Sequence, residues 1–303
     1  MNDNRPKVDN TISGALIVDK PIGMTSHQVV QAIRRGTRIK RAGHTGTLDP
    51  RASGVLVVLV GPAVRLSQYI SAEDKRYQAN IKLGQKTDTY DAEGKITGTA
   101  EVDVSYEQLT EALSKFVGEI EQVPPPYSAI KVKGKHAYDL ARKGEEVKLE
   151  PRLINVYSLD LLEWSPPEAV VDIHCSSGTY VRSLAYDLGE ALGCGGYLTG
   201  LRRTKSGRFS LRDAVPLRKL AETFESNSWY QYLIPAAEAL SDWPSITLNN
   251  EEIELVRHGH RIPREEAETE ELVRAITEQG ELVALMQYDP DNAEFQPRKV
   301  FFT

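Results

Sequence analysis

The sequence predicts an α+β protein. Three observations carry that reading. Segments of strand and helix period are mixed along the chain, without the strict βαβ alternation of a parallel α/β fold. A continuous apolar run, "VLVVLV", is bracketed by turn glycines and marks a buried strand. After about Leu240 the character changes, and a hairpin pattern sets in over an acidic segment.

The elements follow in order. Residues 1–12 are polar, lack the apolar core of a signal peptide, and are expected to form a loose tail. "GALIVDKP" reads as a strand ending at Pro21. "GMTSHQVVQAIRRG" reads as a helix: Thr25 caps it, Gln28 completes a capping box, and Gly36 marks its end. "GVLVVLVG" is the buried strand. In "YQANIKLG" Tyr77, Ala79, Ile81 and Leu83 point one way and the polar residues the other. "QKTDTYDAEGK" is a loop. "SYEQLTEALSKFVGEI" is an amphipathic helix with Leu109, Leu113 and Phe116 on one face. Residues of about 122–152, with three consecutive prolines followed by bases and tyrosines, form a long insertion; loops of this length are often functional. "AVVDIHCS" is a strand, and "TYVRSLAYDLGEALG" a helix with a stripe of Val181, Leu184, Ala185 and Leu188. "ELVRAITEQGELVALMQYD" is a hairpin turning at Gln279–Gly280, and "RKVFFT" a last strand. The main domain is thus placed at 13–242 and a small β-rich domain at 243–303.

Composition narrows the function. Hydrophobic content of 40% suits a globular protein with a real core. Cys175 and Cys194 have no metal or disulfide spacing, which fits a reducing cytosol. The longest apolar run, Val55 to Val60, is too short to span a bilayer, so a soluble chain is expected. The net charge of −6 is uneven: residues 243–303 hold 13 acids and 6 bases, while 1–242 hold 30 acids and 31 bases. Bases cluster at 34–41, 131–144 and 202–208. Each cluster reads either as a solvated loop or as part of a field for a polyanion.

The chemistry centres on Asp49 in "GHTGTLDPRASG". Asp before Pro can simply cap a turn. It can also be a nucleophilic carboxylate, which needs fixed geometry and a cationic neighbour. Arg182 lies in the first turn of its predicted helix, where the dipole disfavours a cation, so an acidic partner is expected. That partner is either Asp49 or a surface acid such as Asp187 or Glu190. Tyr77 and Tyr180 read either as core tyrosines or as rings on which a base stacks. No phosphate loop, Rossmann fingerprint or serine elbow is found. Asp88, Asp91 and Glu93 lack calcium-loop spacing, and His258 and His260 lack a third ligand.

At this point the residues match a family. "LIVDKPIGMTSH", "GHTGTLDPRASGVL", "DKRYQANIKLGQKTDTYDAEG", "PPPYSAIKVKGKHAYDLARKGE", "SSGTYVRSLAYDLGEALG" and "LRRTKSGRF" resemble, in order, the motifs of the TruB-type tRNA pseudouridine-55 synthases over roughly 14–215. The resemblance implies a pseudouridine-synthase-type mixed sheet flanked by helices, an RNA-binding insertion and a PUA-like C-terminal domain. It implies isomerisation of uridine 55 in the tRNA T-loop by base flipping, without metal or organic cofactor. Carried onto matching positions, Asp49 is the nucleophile, attacking uracil or ribose; Tyr77 stacks on the base and takes part in proton removal at carbon 5; and Arg182 pairs with Asp49. His44, Tyr180 and Leu201 line the pocket or contact the flipped nucleotide, and Lys20 with Pro21 supports the site.

Arg41, Lys131, Lys133, Arg142, Arg202 and Arg203 are candidate RNA contacts. A cytoplasmic monomer acting on tRNA with no obligatory protein partner and no membrane is expected. The insertion and the acidic C-terminal end set it apart from the related branch that works on guide RNA with partner proteins. A tRNA-folding chaperone is the second reading, and the intact Asp49, Tyr77 and Arg182 favour retained chemistry. One departure is Gly196–Tyr197, where many members have Ala-His.

Overall fold

The computed structural model describes residues 12–128, 130–132, 134–143, 149–265, 269 and 271–301. The expected N-terminal tail lies outside them except for Ile12. The main sheet is mixed. Its spatial order is Val215–Pro216, β1 (Gly14–Lys20), β3 (Ala52–Val60), β8 (Gly196–Ser206), β4 (Lys75–Leu83), β7 (Glu168–Cys175), β6 (Arg152–Ser165) and β5 (Gly118–Gln122). A short β2 (Ala42–His44) pairs with β3. The contact of β3 with β8 is parallel, through Leu201–Ala52, Arg202–Ser53 and Arg203–Gly54. Neighbours from β8 to β5 are antiparallel.

All nine residues of β3 are buried, because both of its faces are covered. Leu56, Val58 and Val60 join a core under α1 (Ser26–Thr37) with Val29, Val30 and Ile33. Val55, Val57 and Leu59 face the other way and meet Leu282, Leu285 and Phe301 of the C-terminal segment. Each fully buried Val or Leu contributes roughly 1.5–3 kcal/mol, so the strand that carries the aspartate loop is among the most firmly held. β4 alternates as its sequence predicts, with Tyr77, Ala79, Ile81 and Leu83 buried.

The capping box on α1 forms as expected, between Thr25 and Gln28. Gly36 does not end the helix. The chain runs on to Thr37 and stops at Arg38, which takes the left-handed conformation at φ 62°. Gly36 is instead a contact glycine: a Cβ there would lie 2.1 Å from the Phe224 ring. α2 (Tyr106–Ser114) forms as expected and carries a capping box of Ser105 and Gln108, but the last part of that stretch becomes β5. The expected loop after β4 holds a small ribbon, Gln85–Thr87 with Ile96–Thr99. The basic stretch 202–208 is not a solvated loop; it falls largely on β8, in mid-sheet. α3 (Val181–Ala191) buries its predicted stripe. Its Gly189 meets Gly196 of β8 so closely that a Cβ on Gly196 would lie 2.7 Å from the Ala185 carbonyl oxygen.

A second, five-stranded sheet orders Ser245–Thr247, β9 (Leu272–Ile276), β10 (Leu282–Asp289), β11 (Glu294–Val300) and Ile262–Pro263, with α4 (Asn250–Arg257) against it. The expected hairpin is β9–β10. Arg65 donates to the Val300 carbonyl at 2.7 Å, and Arg274 to the Trp243 and Ala237 carbonyls at 3.0 Å each. The β-rich unit is therefore seated on the back of the main sheet, away from the aspartate loop.

Candidate active site

The loop between β2 and β3 carries Asp49, and its rigidity has identifiable sources. Before the aspartate, Ser26 of α1 both donates to the Leu48 carbonyl at 3.0 Å and accepts from the Leu48 amide at 2.8 Å. After it, the Pro50 carbonyl accepts from the Gly23 amide at 2.8 Å and from Lys20 Nζ at 3.4 Å. The loop is clamped on both sides of one residue, and the carboxylate stays about half exposed to a cleft.

Arg182 meets it there. Its Nε lies 3.1 Å from Asp49 Oδ2. The rest of the guanidinium faces Asp91 Oδ2 at 3.5 Å and donates to the Tyr127 carbonyl at 3.1 Å. The arginine is buried in the first turn of α3, so its unfavourable place on the helix dipole is offset by two carboxylates. The alternative surface partner Glu190 pairs with Lys86 at 2.5 Å instead. Asp91 was not read from the sequence as part of this site. Thr89 Oγ1 donates to its Oδ1 at 2.6 Å and the Glu93 amide at 3.0 Å, which aims its other oxygen at Arg182. Its place in an acid-rich turn, which lacks calcium-loop spacing, gave no signal of this role.

A cleft of about 640 Å³ opens over this pair, a size suited to a nucleotide-sized ligand. Asp49, Tyr77, Tyr180, Arg182, Leu201 and Arg203 line it. Tyr180 caps α3, and Gln122 fixes its backbone by accepting from its amide at 2.8 Å and donating to its carbonyl at 3.1 Å. Burial pushes the Tyr180 phenol up, so it stays neutral.

Other expected residues sit differently. Lys20 is fully buried, and its Nζ donates to the carbonyls of Pro21 at 2.8 Å and Met24 at 2.5 Å as well as Pro50. It is out of reach of a substrate and acts by holding the loop. Burial pulls its amine down to about 8, against the attraction of Asp49. His44 lies on β2, just before the cleft wall begins at Thr45. Its Nδ1 is buried without a partner, and burial with Arg203 and His27 lowers its pKa.

Of the candidate RNA contacts, Arg41 is exposed. Arg202 pairs with Asp19 at 2.8 Å and keeps part of its surface free. Arg203 is buried at 2% exposure and grips the Val55 and Gly46 carbonyls, so it is no surface phosphate contact. Alternation on β8 turns it inward while Arg202 turns outward. Lys133 lies outside the described residues, and Lys131 and Arg142 are described by backbone alone. Among the described residues no group of His, Cys, Asp or Glu is placed to hold a metal, and no helix is long and apolar enough to cross a membrane.

The α+β sheet thus presents an ion-paired, clamped carboxylate to a nucleotide-sized cleft, an arrangement suited to a carboxylate-centred enzyme. The TruB family pseudouridylate synthase N-terminal domain matches residues 34–181, and the tRNA pseudouridylate synthase B C-terminal domain matches 182–241. Among curated proteins, tRNA pseudouridine synthase B of Aquifex aeolicus is 44% identical over 87% of this chain and 91% of its own length. That of Pseudomonas aeruginosa is 39% identical over 97% of each. A solved H/ACA ribonucleoprotein bound to a substrate RNA containing 2'-deoxyuridine holds a chain 26% identical, with a TM-score of 0.75, covering 99% of this chain and 89% of that one. The chain belongs to the TruB family of pseudouridylate synthases.

Proposed function

We propose that this protein isomerises uridine 55 in the T-loop of tRNA to pseudouridine, acting as a cytoplasmic monomer without a protein partner. The observation that supports this most is the clamped Asp49 at 3.1 Å from Arg182, at the mouth of the cleft. The target nucleotide leaves its stack, at a cost of a few kcal/mol, and enters the cleft. Tyr77, Leu201 and Tyr180, which line the cleft, hold the flipped nucleotide, with the uracil stacked on Tyr77. Asp49, held and aimed by Arg182 at 3.1 Å, is the nucleophile. The N-glycosidic bond breaks, the uracil turns, carbon 5 bonds to the ribose, and Tyr77 receives the carbon 5 proton. No electron enters or leaves in the net reaction, so no redox cofactor is part of this proposal. Exposed bases such as Arg41 and Arg202 grip phosphates, and a PUA-like C-terminal unit completes the architecture.

The test is tritium release from tRNA labelled at carbon 5 of uridine. Wild type releases tritium; Asp49→Asn does not, while its tRNA affinity stays within a few-fold. Release by neither protein, with binding intact, would replace this reading by a binding-only function.

A further inference from the structure

Arg203 has an unusual set of neighbours for a buried cation. A guanidinium removed from water needs an anion or enough acceptors to replace its hydration. Nε donates to the Val55 carbonyl at 2.7 Å and Nη2 to the Gly46 carbonyl at 3.1 Å. The three carboxylates lining the cleft, Asp49, Asp91 and Glu93, face Arg182 and Arg51 instead. Two further amines are buried near it. Lys20 and Lys75 are each pulled down to about 8 by burial, with Arg203 adding to the effect. Positive charge thus gathers around Arg203, and Asp49, Glu73 and Asp74 act on the two lysines only against the larger effect of burial.

Arg203 also lies against Tyr77, lines the same cleft, and acts to lower the pKa of its phenol. The pairing is fixed by strand register: Arg203 on β8 stands opposite Tyr77 on β4, and opposite Gly54 on β3. A Cβ on Gly54 would lie 2.2 Å from the Arg203 carbonyl oxygen, so glycine there lets the strands close on this pair. We propose that Arg203 is a positioning residue that acts through Tyr77, holding its oxygen as a hydrogen-bond acceptor and stabilising the phenolate that takes the carbon 5 proton.

The inference rests on the proposed isomerisation. After carbon 5 has bonded to the ribose, it carries both the new C–C bond and its original hydrogen. The phenolate oxygen takes that hydrogen as a proton. The C–H pair forms the C5–C6 double bond, the C6–N1 π pair moves onto N1, and N1 takes a proton from water. The resulting phenol returns its proton to the hydroxide. A neutral phenol is a poor acceptor for this step, and burial of Tyr77 favours the neutral form. The Arg203 charge acts in the opposite direction.

The experiment uses the full-length protein and in vitro transcribed tRNA carrying hydrogen or deuterium at carbon 5. Arg203→Met is expected to lower the single-turnover rate by about 100-fold, at the lower end of general-base contributions. Its tRNA affinity should stay within about threefold, because a buried arginine releases no counterions. A primary isotope effect should emerge, since proton removal becomes limiting. Substituting 3,5-difluorotyrosine for Tyr77, whose phenol ionises more readily, should restore about 10-fold of the rate in the Arg203→Met background. Loss of rate with neither isotope effect nor rescue overturns the proposal and leaves Arg203 a packing residue. If Arg203→Met does not fold, the same substitution at Tyr77 in the otherwise wild-type protein decides. The acid limb of the pH–rate profile should move down with the phenol, and an unmoved limb overturns the proposal. A wild-type protein that forms no pseudouridine overturns the isomerase reading itself, an outcome distinct from either.

Discussion

Removing the Arg182 guanidinium is the most direct challenge to the site. The Asp49–Arg182 contact at 3.1 Å is worth about 5 kcal/mol by Coulomb's law at an effective dielectric of about 20. Asp49 keeps 45% of its side-chain surface, so water screens part of that interaction and roughly 2–4 kcal/mol remains. At about 1.4 kcal/mol per factor of ten, Arg182→Ala should slow single turnover by roughly 30- to 1,000-fold. The loss arises because the carboxylate loses the cation that pairs with it and aims it, and because Asp91 loses its cation as well. Arg182→Lys keeps the charge but not the fork that bridges Asp49, Asp91 and the Tyr127 carbonyl, so it should fall between the two. The assay is tritium release with enzyme in excess over tRNA, which isolates chemistry from product release. Arg182→Ala turning over within about threefold of wild type would refute the ion-pair argument, because so small a change corresponds to under about 1 kcal/mol.

Three further outcomes follow from the geometry. Gly36→Ala should destabilise the protein in urea unfolding by about 1–3 kcal/mol, because the new methyl meets the Phe224 ring; a gain near the 1 kcal/mol helix preference for alanine would contradict that contact. If five phosphate contacts form, log affinity for tRNA should fall with log salt at a slope of about −3.5 to −4.5; Arg41→Ala should make it shallower by about 0.7–0.9 and the buried Arg203 should leave it unchanged, as filter binding across salt concentrations will register. Lys20 has a folded-state pKa of about 8 against 10.5 unfolded, so the unfolded chain binds more protons between those values and stability gains from this group as pH rises through them. Cys175, pushed up to about 11, opposes it from about pH 9, so the measurement is the difference in slope of unfolding free energy between wild type and Lys20→Met from pH 8 to 10, with the wild type rising more steeply.

What the sequence made legible is what depends on local rules. The predicted capping box of Thr25 and Gln28 formed because it needs only residues three apart. The alternation of β4 put Tyr77 on the inward face, and the dipole argument correctly demanded an acid for Arg182. Gly36 was misread because a glycine near a helix end normally permits a left-handed turn, whereas here a distant ring, Phe224, required the missing side chain. The sequence reading names no element over β6, and it leaves the basic cluster of β8 open between a solvated loop and a field for a polyanion. On β8 a basic run obscures the strand period, which only the sheet position reveals.

The same limit governs the site. Asp49 and Arg182 each carried an internal contradiction, a carboxylate too rigid and a cation on the wrong end of a helix, and one contact resolves both. Asp91 carried none, since three acids in a turn are content in water. Arg203 carried the opposite signal, because arginine in a basic cluster suggests solvent and phosphate. Its role depends on β8 being inserted between β3 and β4, so that one residue faces Gly54 on one side and Tyr77 on the other. No spacing within the sequence expresses that insertion. A charge that tertiary register has placed in a core is therefore where sequence reasoning is weakest. In this protein it pairs across strands with Tyr77, for which proton removal is proposed.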